Sequence, residues 1–387
     1  MKLPRVVRSF FVRDHEKGVK LETLVEGSLC IFVEDGSTLL GEFPRRVQLG
    51  DELALILNRR ILSPANGVVR LEISKDNKRY LKITQDGSLE PVRKFREVPK
   101  DRNTFFTILN SRGVYSLDFS AIPLSDYLES FRNTENSVLI LTPLTRFNQP
   151  DFRSILENEY KKELELLIFY LEDLFPNREI RLIWEDFKTK LKYPIGIPEY
   201  FCEYKAGYSI LGKNPRDKGR VFFMGGETVY HLIRALFYDL PFTRRHLTVH
   251  CVDRRGRLDG KERVFFLSNG QSFDFLRTVF SRNYRSVCLN HYMQKPVLLA
   301  NGAAHYFDIF RDSHIVFYLE SPRFHSELAC TECMECNSNC PTGASPIGIV
   351  SRLYEFRTEY CIDCGLCTLY CPSGIDLRKR IAERVEK

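Results

Sequence analysis

Eight of the twelve cysteines in this 387-residue chain stand near its end, in two runs with the same spacing. Each run reads C-x2-C-x2-C-x3-C-P. The runs are Cys330, Cys333, Cys336 and Cys340 before Pro341, and Cys361, Cys364, Cys367 and Cys371 before Pro372. The match continues beyond the prolines, with Thr342 and Gly343 in the first run and Ser373 and Gly374 in the second. The segment is therefore an internal repeat, and the distance in sequence from Cys330 to Cys361 is its repeat length. Thiolates grouped in this way are soft ligands for zinc or for iron–sulfur clusters.

The spacing favours two [4Fe–4S] clusters with crossed ligation. Two-residue gaps let a short loop present three sulfur atoms to one cluster, while the proline turns the chain so that the fourth sulfur reaches the other cluster. The predicted ligands are Cys330, Cys333, Cys336 and Cys371 for cluster 1, and Cys361, Cys364, Cys367 and Cys340 for cluster 2. Every iron would then have a protein thiolate, so we expect the clusters to transfer electrons and predict no catalytic residue.

Structural zinc is the first alternative, because zinc also binds C-x2-C pairs. Zinc would leave the third cysteine of each run and the proline after the fourth unexplained. A disulfide framework is the second alternative, and it fits less well because nothing in the sequence indicates secretion.

Composition places the chain among globular proteins of more than one domain. With 43% hydrophobic residues it can bury substantial cores, and its length predicts two to four domains of about 100–200 residues each. It contains no run of about 18 apolar residues, and its first residues lack the apolar segment of a signal peptide. Four further cysteines, scattered singly, are typical of reducing compartments, so we predict a cytoplasmic location. They are Cys30, Cys202, Cys251 and Cys288.

The charge of the chain is uneven. Its formal net charge is +7, but residues 330–372 contain five acidic and two basic side chains. An acidic electron-transfer end on a basic body suits an anionic partner or a membrane surface. The sequence has neither aromatic–basic repeats nor a helix-turn-helix pattern, so we expect no nucleic-acid partner.

Residues 1–92 are predicted to form a β domain. Short apolar runs alternate with Asp-Gly and Asn-Gly dipeptides that favour hairpin turns. The predicted strands are Val6–Val12, Ser28–Val33, Leu53–Leu57, Gly67–Ile73 and Tyr80–Ile83. The turns at Gln48–Glu52 and Leu62–Val69 resemble those of lipoyl-type barrel-sandwich hybrids, although no carrier lysine is evident there.

Residues 93–190 change to a mixed helix and strand pattern. Ser137–Leu141 is predicted as a buried strand, Leu164–Phe175 as a helix that ends before Pro176, and Ile180–Trp184 as a second strand. This order predicts a Rossmann-like α/β domain. No G-x-G-x-x-G follows either strand, so the pattern by itself predicts no ligand.

Residues 191–325 are predicted as a β-grasp (SLBB-like) domain with a connector. The predicted elements are strand Arg220–Met224, a helix with one apolar face, and strands Leu247–Val252 and Val264–Leu267. The apolar face of that helix consists of Val229, Leu232, Ile233, Leu236 and Phe237. Residues 326–387 complete the chain as a helical ferredoxin-type domain for two clusters, with Ser345 and Asp376 as predicted helix caps.

Two motifs in the range 191–325 look like ligand sites but lack the required context. Gly207–Lys213 matches most of a P-loop. However, Asn214 takes the place of the Ser or Thr that binds the metal ion, and Pro215 lies where the following helix should begin. His246 and His250 alternate with apolar residues as in a strand, which separates them by about 13 Å. We therefore expect neither ATP binding nor a metal ion shared by these two histidines.

The multidomain α+β order of these parts resembles the C subunit of the Rnf electron-transport complex. Lys192–Gly196 is similar to the motif that joins the α/β and β-grasp parts of that family, and Pro296–Ala303 is similar to the segment before its clusters. The first three parts are also similar to a subunit of the sodium-translocating NADH:quinone reductase. The resemblance implies a subunit peripheral to the inner face of the membrane that passes electrons between NADH and ferredoxin. The partners it implies are membrane-embedded and flavin-bearing subunits and a ferredoxin or similar carrier.

The sequence departs from that family where the flavin should bind. The glycine-rich loop of the family corresponds to Leu109–Leu124, which contains one glycine, Gly113, next to a candidate phosphate ligand, Arg112. The acidic cofactor-contact run corresponds to Leu141–Phe152, which reads LTPLTRFNQPDF. We therefore expect two [4Fe–4S] clusters as cofactors and no tightly bound FMN or NADH.

Two alternatives from other function classes stay open. One is a soluble iron–sulfur oxidoreductase that acts on a small molecule, which would need a cofactor site that the sequence does not reveal. The other is a docking or assembly protein whose clusters only stabilise its fold.

Overall fold

The computed structural model describes residues 21–23, 28–56, 59–74, 77–86, 94–118, 121–142, 150–183, 220–252, 263–273, 286–289, 297–298, 306–318, 327–338, 340, 343–357, 361, 366–369 and 371–385. Several features singled out in the sequence lie outside these residues: Val6–Val12, Trp184, Lys192–Gly196, Cys202, Gly207–Lys213, Cys364 and most of Pro296–Ala303. In the described part of the chain, no helix has the length and apolar content needed to cross a membrane.

Eight short strands occupy the first described part of the chain. They are β1 Leu21–Thr23, β2 Leu29–Val33, β3 Thr38–Leu39, β4 Arg45–Val47, β5 Glu52–Ile56, β6 Arg59–Leu62, β7 Gly67–Ile73 and β8 Arg79–Gln85. Seven of them form two antiparallel sheets, with strand orders β2-β8-β7-β4 and β3-β5-β6. Leu29, Ile31 and Val33 alternate along β2 and share one core with Leu53 and Ile61 of the other sheet. This two-sheet unit lies where the sequence predicts a barrel-sandwich hybrid.

The next segment combines helices with a small parallel sheet. The helices are α1 Arg102–Ser111, α2 Leu124–Asn133, α3 Phe152–Glu159, α4 Lys161–Leu174 and α5 Gly226–Tyr238. The strands are β9 Tyr115–Ser116, β10 Ile122–Pro123, β11 Ser137–Leu141, β12 Glu179–Leu182 and β13 Arg220–Met224. β12, β11 and β13 form an all-parallel sheet in that order. Asp101 and Asp151 cap α1 and α3, because their side chains accept hydrogen bonds from backbone N–H groups of the first turn.

A six-stranded mixed sheet follows. Its remaining strands are β14 Arg244–Val252, β15 Arg263–Ser268, β16 Ser286–Leu289, β17 Val297–Leu298 and β18 His314–Tyr318. The strand order is β1-β15-β14-β18-β16-β17. Leu247 and Val249 of β14 are buried in a core with Phe265 and Leu267 of β15.

Two strand pairings cross the predicted domain boundaries. β13 lies in the range 191–325 but pairs in parallel with β11 of the range 93–190. β1, from the range 1–92, pairs in parallel with β15. Parallel strands need long connections, so neighbours in the sheet are distant in sequence and local periodicity does not reveal the pairing. The four domain ranges therefore stay predictions.

The last part of the chain is helical. It contains α6 Glu335–Ser338, a 3-10 helix Pro346–Ile349, α7 Leu366–Leu369 and α8 Leu377–Val385. Its core includes the thiols of Cys336 and Cys367 together with Ile347, Leu377 and Ile381. The mixed α+β chain thus ends in a helical module whose core contains cysteines.

Candidate metal centre

The sequence repeat near the end of the chain is also a structural repeat. α6 and α7 begin at equivalent positions of the two runs, and each contains a buried cysteine, Cys336 or Cys367. Gly343 and Gly374 both adopt left-handed backbone conformations, with φ of +69° and +67°. The 3-10 helix and α8 also begin at equivalent positions of the repeat. The two halves therefore position Cys336 and Cys367 in the same way.

A cavity in this module brings together cysteines from both runs. Four cysteines line it: Cys330, Cys333, Cys336 and Cys371. Ile347 and Ile375 contribute to its apolar lining. Three cysteines of the first run thus face the last cysteine of the second, which is the set predicted for cluster 1. Four thiols around one apolar cavity fit a [4Fe–4S] cluster.

The thiol of Cys336 has a raised pKa in this cavity. Burial is the main cause that raises the pKa of Cys336 to about 11, and the neighbouring Cys371 and Cys333 contribute in the same direction. Iron binds the thiolate, so a metal ion at this position must displace the proton of Cys336. Cys371 affects the pKa of Cys336 because the two thiols lie near each other, although they belong to different runs.

Three of the four cysteines predicted for cluster 2 can be located, whereas Cys364 lies outside the described residues. Cys367 belongs to the core of the module, and Cys340 and Cys361 pack against that core. The backbone N–H of Ala344 donates a hydrogen bond to Cys340 Sγ at 3.3 Å. Hydrogen bonds to ligand sulfurs are one means by which proteins set the reduction potential of a cluster.

Asn337 joins α6 to the turn that follows Cys340. Its Oδ1 accepts a hydrogen bond from the N–H of Ile347 at 3.0 Å, and its Nδ2 donates to Ser345 Oγ at 3.1 Å. The bridge therefore connects the two ends of the loop that contains Cys340.

Thr368 makes the equivalent connection in the second half. Its Oγ1 accepts a hydrogen bond from the N–H of Arg378 at 2.7 Å and donates to Asp376 at 3.3 Å. Ser345 occupies the N-cap position of the 3-10 helix that begins at Pro346, as predicted, but its side chain makes no capping hydrogen bond. Sequence analysis missed Asn337 and Thr368 because their types differ, although both directly follow the third cysteine of their runs and so occupy equivalent positions of the repeat.

The candidate flavin-loop residues lie at the end of α1. Arg112 donates two hydrogen bonds to the carboxylate of Asp239, at 2.7 and 3.0 Å. Gly113 has φ of +58° and its N–H bonds to Asn110 O, while the N–H of Val114 bonds to Leu109 O. These bonds form a Schellman motif, in which glycine is favoured because the position after the helix is left-handed. Gly113 therefore has a structural role, and Arg112 already has an anionic partner.

Asp118 occupies the N-terminus of α5, at the end of the parallel sheet. Its Oδ2 accepts hydrogen bonds from the N–H of Gly225 at 3.0 Å and from Thr228 Oγ1 at 2.8 Å. Thr228 Oγ1 in turn accepts a hydrogen bond from the N–H of Leu117. A helix N-terminus beside the carboxyl end of a parallel sheet is where Rossmann-like folds bind phosphate. Here a buried carboxylate of the chain itself takes that position.

The two histidines of β14 have different neighbours. Nδ1 of His250 lies 2.9 Å from Nε2 of His314 on β18. The ring of His246 instead packs against Tyr230 of α5 and Phe266 of β15. The strand that separates His246 from His250 is thus present as predicted.

Comparison with known proteins identifies the helical module. Residues 323–381 match the 4Fe–4S dicluster domain family. No curated protein matches the chain. Among the solved chains that resemble it is NAD+-reducing [NiFe]-hydrogenase in the H2-reduced state, at 9% identity over 59% of this chain and 49% of that chain with a TM-score of 0.41. Another is the same enzyme in the air-oxidized state, at 8% identity over 77% of this chain and 64% of that chain with a TM-score of 0.44. The chain thus spans about half to two thirds of those solved chains.

The match confirms the prediction of an iron–sulfur domain at the end of a mixed α+β chain. The number of clusters, the pairing of their ligands and the absence of flavin stay predictions.

Proposed function

We propose, from the 4Fe–4S dicluster match of residues 323–381, that this protein is an electron-transfer subunit that holds two [4Fe–4S] clusters. The ligands we propose are Cys330, Cys333, Cys336 and Cys371 for one cluster, and Cys361, Cys364, Cys367 and Cys340 for the other. The observation that supports this most is the cavity whose lining combines three cysteines of the first run with Cys371.

When bound, a [4Fe–4S] cluster supplies one-electron redox chemistry. The residues of this chain would hold it and set its surroundings. Ile347 and Ile375 line the cavity and would place apolar side chains against the cluster. The N–H of Ala344 stabilises negative charge on Cys340 Sγ. Asn337 and Thr368 fix the loops that follow the two helices.

We place this subunit in an oxidoreductase complex of the Rnf type, on the inner face of the membrane. The resemblance of the sequence to the C subunit of that complex supports this assignment, as does the acidic end on a basic chain. NADH delivers a hydride, whereas a cluster accepts single electrons, so a flavin must separate the two electrons. Because Arg112 and the N-terminus of α5 already bind carboxylates of this chain, we assign that flavin to a partner subunit.

The test uses the full-length chain with an affinity tag, expressed in its native host and purified without oxygen. The purified protein should contain about eight irons per chain, and membrane-embedded and flavin-bearing subunits should be recovered with it from the membrane fraction. NADH should reduce its clusters in that complex and should not reduce them in the separated chain.

Three results would contradict the proposal. Zinc in place of iron would favour a structural metal site. Full activity of the separated chain on a small molecule would favour a soluble oxidoreductase. Clusters that no donor in the complex reduces would favour a docking or assembly protein whose clusters only stabilise the fold.

A further inference from the structure

Two histidines and a glutamate meet in the interior, far in sequence from the cysteine module. Glu227 and His231 lie on α5, and His246 lies on β14. One potential ligand atom from each residue lies within 4.8 Å of those from the other two. We call this group the Glu227–His231–His246 cluster. It depends on none of the residues used in the proposed function.

The fold explains why these three residues meet. Glu227 and His231 are four residues apart on α5, so they lie on the same face of that helix. His246 is on a central strand of the six-stranded sheet, where its side chain points toward α5 and packs against Tyr230. Glu227, His231 and His246 are 2%, 4% and 1% exposed, so bulk water does not solvate their polar atoms.

The imidazole nitrogens in this cluster lack the partners that buried polar atoms normally have. Nε2 of His231 and both ring nitrogens of His246 make no hydrogen bond within the described part of the chain. Leaving buried donors and acceptors unpaired is unfavourable, and a metal ion would bind one nitrogen of each ring. This is the strongest indication that the cluster accommodates a ligand.

The protonation state of the histidines suits metal binding. Burial is the main cause that lowers the pKa of His231 and of His246 well below the usual value, with nearby arginines acting in the same direction. Both imidazoles are therefore neutral at physiological pH, which is the form that coordinates metal ions.

Arg245 orients the carboxylate of the cluster. It donates two hydrogen bonds to Glu227, each at 2.8 Å, and a third to the backbone carbonyl of Ile309 at 3.0 Å. A carboxylate oxygen carries two lone pairs, so the hydrogen bonds from Arg245 are compatible with metal binding and Arg245 would act as an outer-shell partner. The positive charges of Arg234, Arg244 and Arg245 oppose the binding of a cation and so lower the affinity of the site for a metal ion. They do not change which three residues offer ligand atoms.

We propose that Glu227, His231 and His246 bind one divalent transition-metal ion of the zinc or ferrous class. Two imidazoles and a carboxylate suit such ions and do not suit calcium or magnesium, which prefer oxygen ligands. The ion is structural, because the site is enclosed and its ligands join α5 of the parallel-sheet segment to β14 of the six-stranded sheet.

The experiment uses the full-length, cluster-loaded protein without oxygen. The protein is incubated with Zn²⁺ and passed over a weak chelator, and the visible absorption of the clusters checks that they remain intact. We expect about one zinc per chain, with a zinc-edge absorption spectrum that shows a nitrogen and oxygen shell at about 2.0–2.1 Å. The midpoint temperature of unfolding should rise with the logarithm of the Zn²⁺ concentration.

The matched variants are His246→Gln and His250→Gln, which change two histidines of the same strand. His246→Gln should lose the nitrogen-bound zinc and the thermal shift, whereas His250→Gln should keep both. Absence of bound zinc from the wild-type protein, or zinc with only a sulfur shell at about 2.3 Å, would overturn the proposal. If His246→Gln fails to fold, the spectrum and thermal shift of the wild-type protein still decide the question.

Discussion

At the scale of single residues, the predicted crossed ligation depends on the fourth cysteine of each run, Cys340 or Cys371. Cys371 lies on the cavity that three cysteines of the first run also line. If it ligates cluster 1, removing it should damage the same cluster as removing Cys330, although the two residues belong to different runs.

We predict that Cys371→Ala lowers the iron content from about eight to about four per chain, because one cluster loses a ligand. The double variant Cys330→Ala/Cys371→Ala should also retain about four, since both residues serve one cluster, whereas Cys361→Ala/Cys371→Ala should retain almost none. Iron analysis and electron paramagnetic resonance of the reduced proteins measure this. Cys30→Ala, a buried cysteine outside both runs, is the control. If Cys361→Ala/Cys371→Ala kept as much iron as Cys371→Ala, the ligation would be uncrossed.

Tyr115 connects β9 to the two-sheet unit of the first strands, because its hydroxyl accepts a hydrogen bond from the N–H of Arg60 on β6 at 2.7 Å. Burial raises the pKa of Tyr115 from 10.0 to about 12. The folded state therefore favours the neutral phenol, and the unfolded state ionises first as the pH rises. The resulting stabilisation is complete below pH 10 and is lost as the pH approaches 12.

Between pH 10 and about 12, we predict that the free energy of unfolding falls by about 2–3 kcal/mol more for the wild-type protein than for Tyr115→Phe. Denaturant unfolding of both proteins at pH 9 and at successively higher pH provides the comparison. The phenylalanine variant keeps the ring contact with Phe310, so the ring packing is matched. Parallel pH profiles for the two proteins would show that the phenol is not buried as described.

At the scale of elements, the helical module at the end of the chain consists of two halves, and each half contains a loop closed by equivalent hydrogen bonds. In each half, a side chain of the short helix binds a backbone N–H at the start of the next helix: Asn337 to Ile347, and Thr368 to Arg378. An amide and a hydroxyl thus serve the same purpose, because each offers an acceptor and a donor.

We predict that Thr368→Val destabilises the module by about 1 kcal/mol and accelerates loss of the clusters in denaturant. Valine has nearly the same shape but cannot accept from Arg378 or donate to Asp376. Thr368→Ser retains the hydroxyl and should behave nearly as the wild type. The decay of visible cluster absorption in urea measures the effect, and equal rates for the valine and serine variants would exclude a role for the hydroxyl.

At the scale of the whole molecule, the N-terminus of α5 lies at the carboxyl end of the parallel sheet, but this position already holds a carboxylate of the chain. The N–H of Gly225 at the N-terminus of α5 donates to Asp118, and Arg112 pairs with Asp239. A flavin phosphate would have to displace a buried carboxylate from α5 and would meet its negative charge.

We predict that the isolated, cluster-loaded protein binds no flavin tightly and that NADH does not reduce its clusters. Titration with FMN followed by gel filtration measures retention, and anaerobic mixing with NADH measures reduction. Arg112→Ala should retain as little FMN as the wild type, because Arg112 pairs with Asp239 and we expect it to bind no phosphate. Stoichiometric FMN retention together with NADH-driven cluster reduction, lost in Arg112→Ala, would refute this prediction.

The sequence alone determined those features that depend on neighbouring residues. The strands Gly67–Ile73, Ser137–Leu141 and Arg220–Met224 have the limits that their apolar runs predict. The iron–sulfur domain follows from cysteine spacing, because three ligands of a cluster must lie within one short loop. The helical period of α4 likewise predicted a helix that stops just before Pro176.

The tertiary structure decided which distant segments meet. It paired β13 with β11, brought Asp118 to the N-terminus of α5, and placed His246 beside His231. No local pattern encodes these contacts, because each depends on parallel strands and packed helices that are separated by long stretches of chain. Periodicity reports which face of an element is apolar, and only the packing of all elements together determines which polar groups face one another in the interior.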